Sequence, residues 1–221
     1  MWRPKAKHFE KFDNDKNFCF TAENFFSDNK NFLEQNKNLN KKLLIEIWPW
    51  KWKFFSNLVK NNQDLFCVWC DLRKDRLINA RQKTEVLNPE KNNFSFISWD
   101  VKEFFEVCED ESIEKIYMNF PDACTDKKSW KLRFFQPENI ELVFRKLKKW
   151  WKIFIKTDDY DYFIFTRISF FFKKKIFQEI YHSKNVYEDQ DVNSENYICT
   201  EFEEKWISQW KTIFELNYEK R

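Results

Sequence analysis

From residue 43 onward, short apolar runs alternate with longer amphipathic stretches. Leu43–Ile47, Leu65–Cys70, Phe94–Ser98, Ile113–Asn119 and Lys152–Lys156 are brief runs of apolar and aromatic side chains, and each reads as a strand. Lys51–Asn61, Lys74–Leu87, Val101–Cys108, Pro137–Lys148 and Tyr160–Phe172 follow them in turn and read as helices. The order reverses at the end, where a helix over Thr200–Gln209 precedes a strand over Thr212–Asn217. Strand–helix alternation predicts an α/β fold, a mostly parallel sheet with helices on both faces. Residues 1–40 are polar and rich in Asn and Lys, which predicts an amino-terminal arm; residues 41–221 form one domain.

Composition adds an anomaly. The chain has 221 residues, 11 tryptophans and no glycine. Ordinary usage of roughly 7% predicts about 15 glycines. Trp48, Trp50 and Trp52 alternate between the first strand and the first helix. A strand–loop–helix turn that holds a nucleotide needs glycine there, for the sharp turn and for close ligand approach. Most of these tryptophans therefore read as glycines. A UGA codon means glycine in some genetic codes and tryptophan in others, and UGG at these positions would refute the reading.

Charge and cysteine narrow the rest. The net charge is only +3, but lysines cluster at 5–16, 37–42, 127–133, 145–152 and 173–175, suited to phosphate contacts. Met1–Lys16 is polar and does not resemble a signal peptide. The most apolar stretch, 160–172, holds Asp161 and Arg167 and is too short to span a bilayer, so a cytoplasmic protein is expected. Cys67 and Cys70 sit three apart in a strand and face opposite sides, and the two histidines, His8 and His182, lie far apart. No metal site is expected.

Ligands of parallel sheets bind beyond the carboxyl ends of the strands. Polar residues recur there: Glu46 with its loop, Asp71, Asp100, Asn119-Phe120-Pro121-Asp122 and Thr157-Asp158. Asp71 lies about 20 residues past the first loop, where an acidic residue binds ribose hydroxyls. Asp100 alone also reads as a helix cap.

With glycine at 48, 50 and 52, the first loop becomes E-x-G-x-G-x-G. Asn119-Phe120-Pro121-Asp122 is trailed by the basic run Lys127–Arg133, then by Lys156-Thr157-Asp158 and Thr200-Glu201-Phe202-Glu203. In these motifs and their spacing the chain resembles bacterial tRNA (guanine-N7-)-methyltransferases, over residues 43–217. The family's P-W after the aspartate is Ala123-Cys124 here, and its lysine four residues beyond is Asp126, with Lys127 beside it. The resemblance implies a Rossmann-like class I methyltransferase fold with a seven-stranded sheet. It implies S-adenosylmethionine as cofactor and N7 of a guanosine in the tRNA variable loop as acceptor. Glu46, Trp48, Trp50, Asp71, Asp100 and Asp122 would bind the cofactor, with Asp122 also catalytic. Lys127, Asp158, Thr200, Glu201, Phe202 and Glu203 would bind substrate. The implied partner is tRNA, and the sequence leaves monomer and homodimer both open. Two rivals share the scaffold: another S-adenosylmethionine-dependent RNA methyltransferase, and a catalytically dead RNA-binding protein if the tryptophans are genuine.

Overall fold

A computed structural model describes residues 18–19, 42–90, 93–126, 129–189 and 197–221. The strands are β1 (Phe18–Cys19), β2 (Lys42–Ile47), β3 (Leu65–Cys70), β4 (Phe94–Ile97), β5 (Ile113–Asn119), β6 (Leu147–Thr157), β7 (Phe177–Ser183) and β8 (Phe214–Lys220). The helices are α1 (Trp52–Asn61), α2 (Lys74–Leu87), α3 (Val101–Val107), α4 (Pro137–Lys146), α5 (Tyr160–Phe171), α6 (Val186–Asp189) and α7 (Glu201–Ser208). The predicted elements appear within a few residues at each end, apart from β6, which starts five residues earlier.

The sheet runs β1-β4-β3-β2-β5-β6-β8-β7. All pairings up to β6 are parallel, and β8 runs antiparallel to both β6 and β7. The six strands read from the sequence are present, β7 completes the seven that the resemblance implies, and Phe18–Cys19 adds an eighth at the edge beside β4. The rest of the predicted arm lies outside the described residues. Successive strands step one way from β2 through β3 to β4 and the other way through β5 to β6. The order reverses at β2, and its carboxyl end faces the ligand crevice of such sheets.

Alternation along the buried strands builds a core on each face. Leu43, Ile45 and Ile47 pack with Phe104, Phe105, Ile140 and Phe163 of α3, α4 and α5. Leu44, Cys67 and Trp69 pack with Phe55, Leu58 and Leu77 of α1 and α2. Cys67 and Cys70 therefore serve opposite cores. Burying each Phe or Leu contributes about 1.5–3 kcal/mol. Local signals fix several helix ends. Pro137 starts α4 behind Gln136. The Asp159 side chain accepts from Tyr162 N at the start of α5. Thr200 and Glu203 form a reciprocal capping box on α7.

The backbone bears on the missing glycines. Among the described residues, six non-glycine positions have positive φ, and three are tryptophans: Trp48 (51°), Trp150 (70°) and Trp210 (56°). A bulky side chain in this region is a genuine outlier. Trp210 closes α7: its N–H reaches Ile207 O at 3.1 Å and Lys211 N reaches Trp206 O at 3.0 Å. This pair of bonds is a Schellman motif, whose left-handed position is usually glycine. Trp150 sits in the irregular stretch of β6 between the partners Ile113↔Leu147 and Lys115↔Lys152. Trp69 makes no such demand, since it lies in a regular strand buried against Phe55 and Phe96. Its indole Nε1 is, however, buried without a hydrogen-bond partner among the described residues.

Candidate active site

Four carboxylates stand at or beyond the ends of consecutive parallel strands. Glu46, the penultimate residue of β2, is fully buried. Its Oε1 accepts from Asn119 Nδ2 at 3.1 Å, across to the end of β5, and its Oε2 is buried with no hydrogen-bond partner among the described residues. Burial pushes its carboxyl up to about 8, against a smaller pull from Asn119. Asp71 follows β3 and is also buried. Its Oδ1 accepts from Arg73 N at 2.8 Å, and its Oδ2 lies 3.4 Å from Arg76 Nη1. Burial raises its pKa and the two arginines hold it down. Asp100, after β4, is the N-cap of α3, its Oδ1 accepting from Lys102 N at 2.8 Å and Glu103 N at 3.4 Å. The helix-cap role is therefore present; Oδ2 takes no part in it. Asp122, after β5, is exposed.

The Asp122 segment is strained. Phe120 and Cys124 have φ of 52° and 49°. Left-handed residues persist where surrounding contacts over-determine them, often at functional sites. Phe120 N donates to Lys156 O at 2.8 Å, and its ring is buried against Phe202. Arg133 Nε donates to Ala123 O at 2.9 Å.

The tryptophan loop lies across this edge. Trp48 N donates to Cys70 O at 2.9 Å, and its indole packs edge-on to Phe134. The Trp50 indole donates to Phe120 O at 2.9 Å, meets Phe202 edge-on and carries the Arg76 guanidinium 3.9 Å above its ring. It thus bridges the loop after β2, helix α2, the end of β5 and helix α7, filling the crevice where strand order reverses. Beside it remains a recess of about 340 Å³, lined by Trp50, Trp52, Trp69, Arg76 and Lys83.

Helix α7 is tied to the first turn of α1, just after the loop, where Glu201 Oε2 accepts from Lys53 N at 3.2 Å and Glu204 pairs with Lys53 Nζ. Burial raises the Glu201 pKa. Of the four residues Thr200–Glu203, Glu201 and Phe202 face the loop. Thr200 and Glu203 are buried, and their side chains hold the chain together: Glu203 Oε2 accepts from Thr200 N at 2.7 Å, and Oε1 accepts from Lys156 Nζ at 2.8 Å and from Tyr197. The expectation that all four reach substrate narrows accordingly. Asp158 is ion-paired with Lys211. Lys127 lies outside the described residues. Sequence reading missed Asn119 as the support of Glu46, though it opens the N-F-P-D motif. It also missed Arg76 and the Lys156–Glu203–Tyr197 network, whose partners are distant in sequence.

Comparison with known proteins shows the family and the fold. A family model described as "Putative methyltransferase" matches residues 40–216. The chain is 29% identical to a tRNA (guanine-N(7)-)-methyltransferase of Clostridioides difficile (strain 630), covering 80% of this chain and 79% of that protein. It is 28% identical to one of Ureaplasma parvum serovar 3, covering 82% and 81%. Among solved structures, the 16S rRNA methyltransferase KamB superposes with a TM-score of 0.60 at 10% identity, covering 91% of this chain and 94% of that one. An antibiotic-related methyltransferase gives 0.57 at 16%, covering 85% and 92%. At such identities these two structures speak for the fold alone. Since the family model spans nearly the whole domain, the chain belongs to this methyltransferase family.

Proposed function

We propose that the chain transfers a methyl group from S-adenosylmethionine to N7 of a guanosine in the variable loop of tRNA, in the cytoplasm. The observation that carries this reading is the row of carboxylates Glu46, Asp71, Asp100 and Asp122 along the crevice edge. The substrate follows from the relatives' printed activity and from the N-F-P-D, T-D and T-x-F-E segments placed around that edge.

The donor set suits S-adenosylmethionine. Asp71 offers a buried acceptor for ribose hydroxyls, Glu46 a buried carboxyl, protonated below about pH 8, for the methionine end, and Asp100 a carboxylate on the adenine side. The backbone at Trp48 already has the left-handed φ of a glycine turn. The Trp50 indole is the misfit, and glycine at 48, 50 and 52 opens the crevice. When bound, S-adenosylmethionine supplies an electrophilic methyl group on a cationic sulfur.

Guanine N7 carries a free lone pair, so the chain need not remove a proton. Its work is alignment of nucleophile and methyl group. Asp122, exposed on the strained loop, is placed to stabilise the positive charge that the purine gains. Asp158, held by Lys211, can accept from N1 and N2 of the guanine. Glu201 and Phe202 line the approach, and Lys127 is assigned to phosphate. In a tritium-transfer assay, Asp122→Ala should lower turnover at least 100-fold with donor affinity within about twofold. Equal loss of both would sink the assignment.

The filled crevice favours a second reading, an RNA binder that takes no donor. Calorimetric titration of S-adenosylmethionine separates the two. Binding by the chain with glycine at 48, 50 and 52 supports the enzyme; no binding by either form supports the RNA binder.

A further inference from the structure

A groove of about 630 Å³ opens between the segment 130–137 and helix α5, lined by Trp130, Arg133, Tyr160, Phe165, Ile168 and Phe172 among others. Arg133 is its polar centre. The residue is 3% exposed, and its guanidinium lies 5.0 Å from the Phe165 ring centre, 5.1 Å from Trp130 and 5.5 Å from Tyr162. Nε donates to Ala123 O at 2.9 Å and Nη1 to Asp161 O at 3.2 Å. Nη2 is buried with no hydrogen-bond partner among the described residues. A buried guanidinium N–H left unpaired is costly, and Gln136, Asp161 and Ser169, which also line the groove, do not satisfy it. An apolar occupant would leave that N–H unpaired. The occupant must bring a flat face for the aromatic walls and an oxygen or ring nitrogen for Arg133.

Position narrows the choice. Arg133 ties the carbonyl just past Asp122 to the first turn of α5, which begins two residues after Asp158. Arg133 thus links the groove to the two segments that carry the carboxylates assigned to the target guanine. In sequence, Lys131 follows Trp130, and Lys173, Lys174 and Lys175 follow Phe172; Lys173 is paired with Glu141 and Lys174 lies over the Phe171 ring. Aromatic faces flanked by cations suit single-stranded nucleic acid, whose bases stack and whose backbone is anionic. Phe172 and Ile168 are 78% and 51% exposed, so the groove is open to a large ligand.

We propose that this groove takes an unstacked base of the RNA substrate, a neighbour of the target guanosine, with its acceptor atom on Arg133 Nη2. The inference rests on the reading of the chain as a methyltransferase acting on RNA. Phe165, Tyr160 and Phe172 remain as walls whether residue 130 is tryptophan or glycine.

The test measures binding, not turnover. Transcribed tRNAs carrying one abasic nucleotide at each unpaired position in turn are titrated by fluorescence anisotropy, without methyl donor. The proteins are the full chain, Phe172→Ala and Ile168→Glu, whose exposed positions keep the fold intact. One abasic position should weaken binding to the full chain roughly tenfold, as loss of one aromatic stack does. Ile168→Glu should weaken binding to intact tRNA by a similar factor and be indifferent to that abasic site. Independent, multiplying losses, or no sensitive position, overturn the proposal. Self-association abolished by Ile168→Glu, with no such coupling, would assign the groove to a second copy and also overturn it. Coupling without methyl transfer to any RNA would sink the enzyme reading and leave this one standing. Methyl transfer without coupling would do the reverse.

Discussion

Replacing Trp210 with glycine should stabilise the protein. The indole is 95% exposed, so its removal forfeits almost no packing. The backbone sits at φ 56°, in the left-handed position of the Schellman motif that ends α7. A residue with a Cβ costs about 1–2 kcal/mol there. Glycine removes that cost but loses roughly 0.5–1 kcal/mol in extra unfolded-state freedom. The net gain is about 0.5–1 kcal/mol, or ~1–4 °C in melting temperature for a domain of this size. Trp210→Ala is the control, because it deletes the same indole and keeps the Cβ. Calorimetric melts of the three proteins should rank glycine above both alanine and tryptophan. A glycine variant no more stable than the alanine variant would refute the strain argument and weaken the case that this position was built for glycine.

Other predictions concern the site. Glu46→Gln should remove a pH dependence. The folded carboxyl titrates near 8 rather than at its ordinary value of 4.5, so the folded state binds the extra proton between those limits. Its stabilising contribution is complete below pH 4.5 and is lost as pH rises toward 8, at up to about 1.4 kcal/mol per unit. Urea melts at pH 5 and pH 8 should differ for the parent chain and converge for the variant; an unchanged difference would place the titration elsewhere. Lys156→Met leaves Glu203 buried without its cation and should cost about 3–5 kcal/mol in urea melts, whereas a loss under 1 kcal/mol would make the pair incidental. Trp69→Gly, taken alone, should destabilise by about 3–5 kcal/mol, since this indole is packed between Phe55 and Phe96. A neutral result would show that the strand was shaped for a small residue. Binding to tRNA should weaken steeply between 50 and 200 mM salt, and a flat dependence would argue against phosphate contacts by the lysine clusters.

The parallel half of the fold was legible because its strands are unbroken apolar runs separated by helices of ordinary length. Strand β7 was not. Its side chains alternate only in part, since the register with β8 shifts between Glu179 and Tyr181 and breaks the period of two. The edge pairing of Phe18–Cys19 is too short to leave a pattern. At the site, the positions of Glu46, Asp71, Asp100 and Asp122 followed from where each strand ended. The roles within Thr200–Glu203 did not, although T-x-x-E before a helix is itself a capping-box signature. The Arg133 groove could not be read at all, because its walls come from two segments that meet only in the folded chain.

The central claim is methyl transfer from S-adenosylmethionine to guanine N7. The direct measurement is incubation of unmodified tRNA transcripts with the methyl-labelled donor and the chain carrying glycine at 48, 50 and 52, followed by nuclease digestion and identification of the labelled nucleoside. The account predicts label in N7-methylguanosine from a single position in the variable loop. Label on an exocyclic amine or a ring carbon, or no label with tRNA at saturating donor, would contradict it.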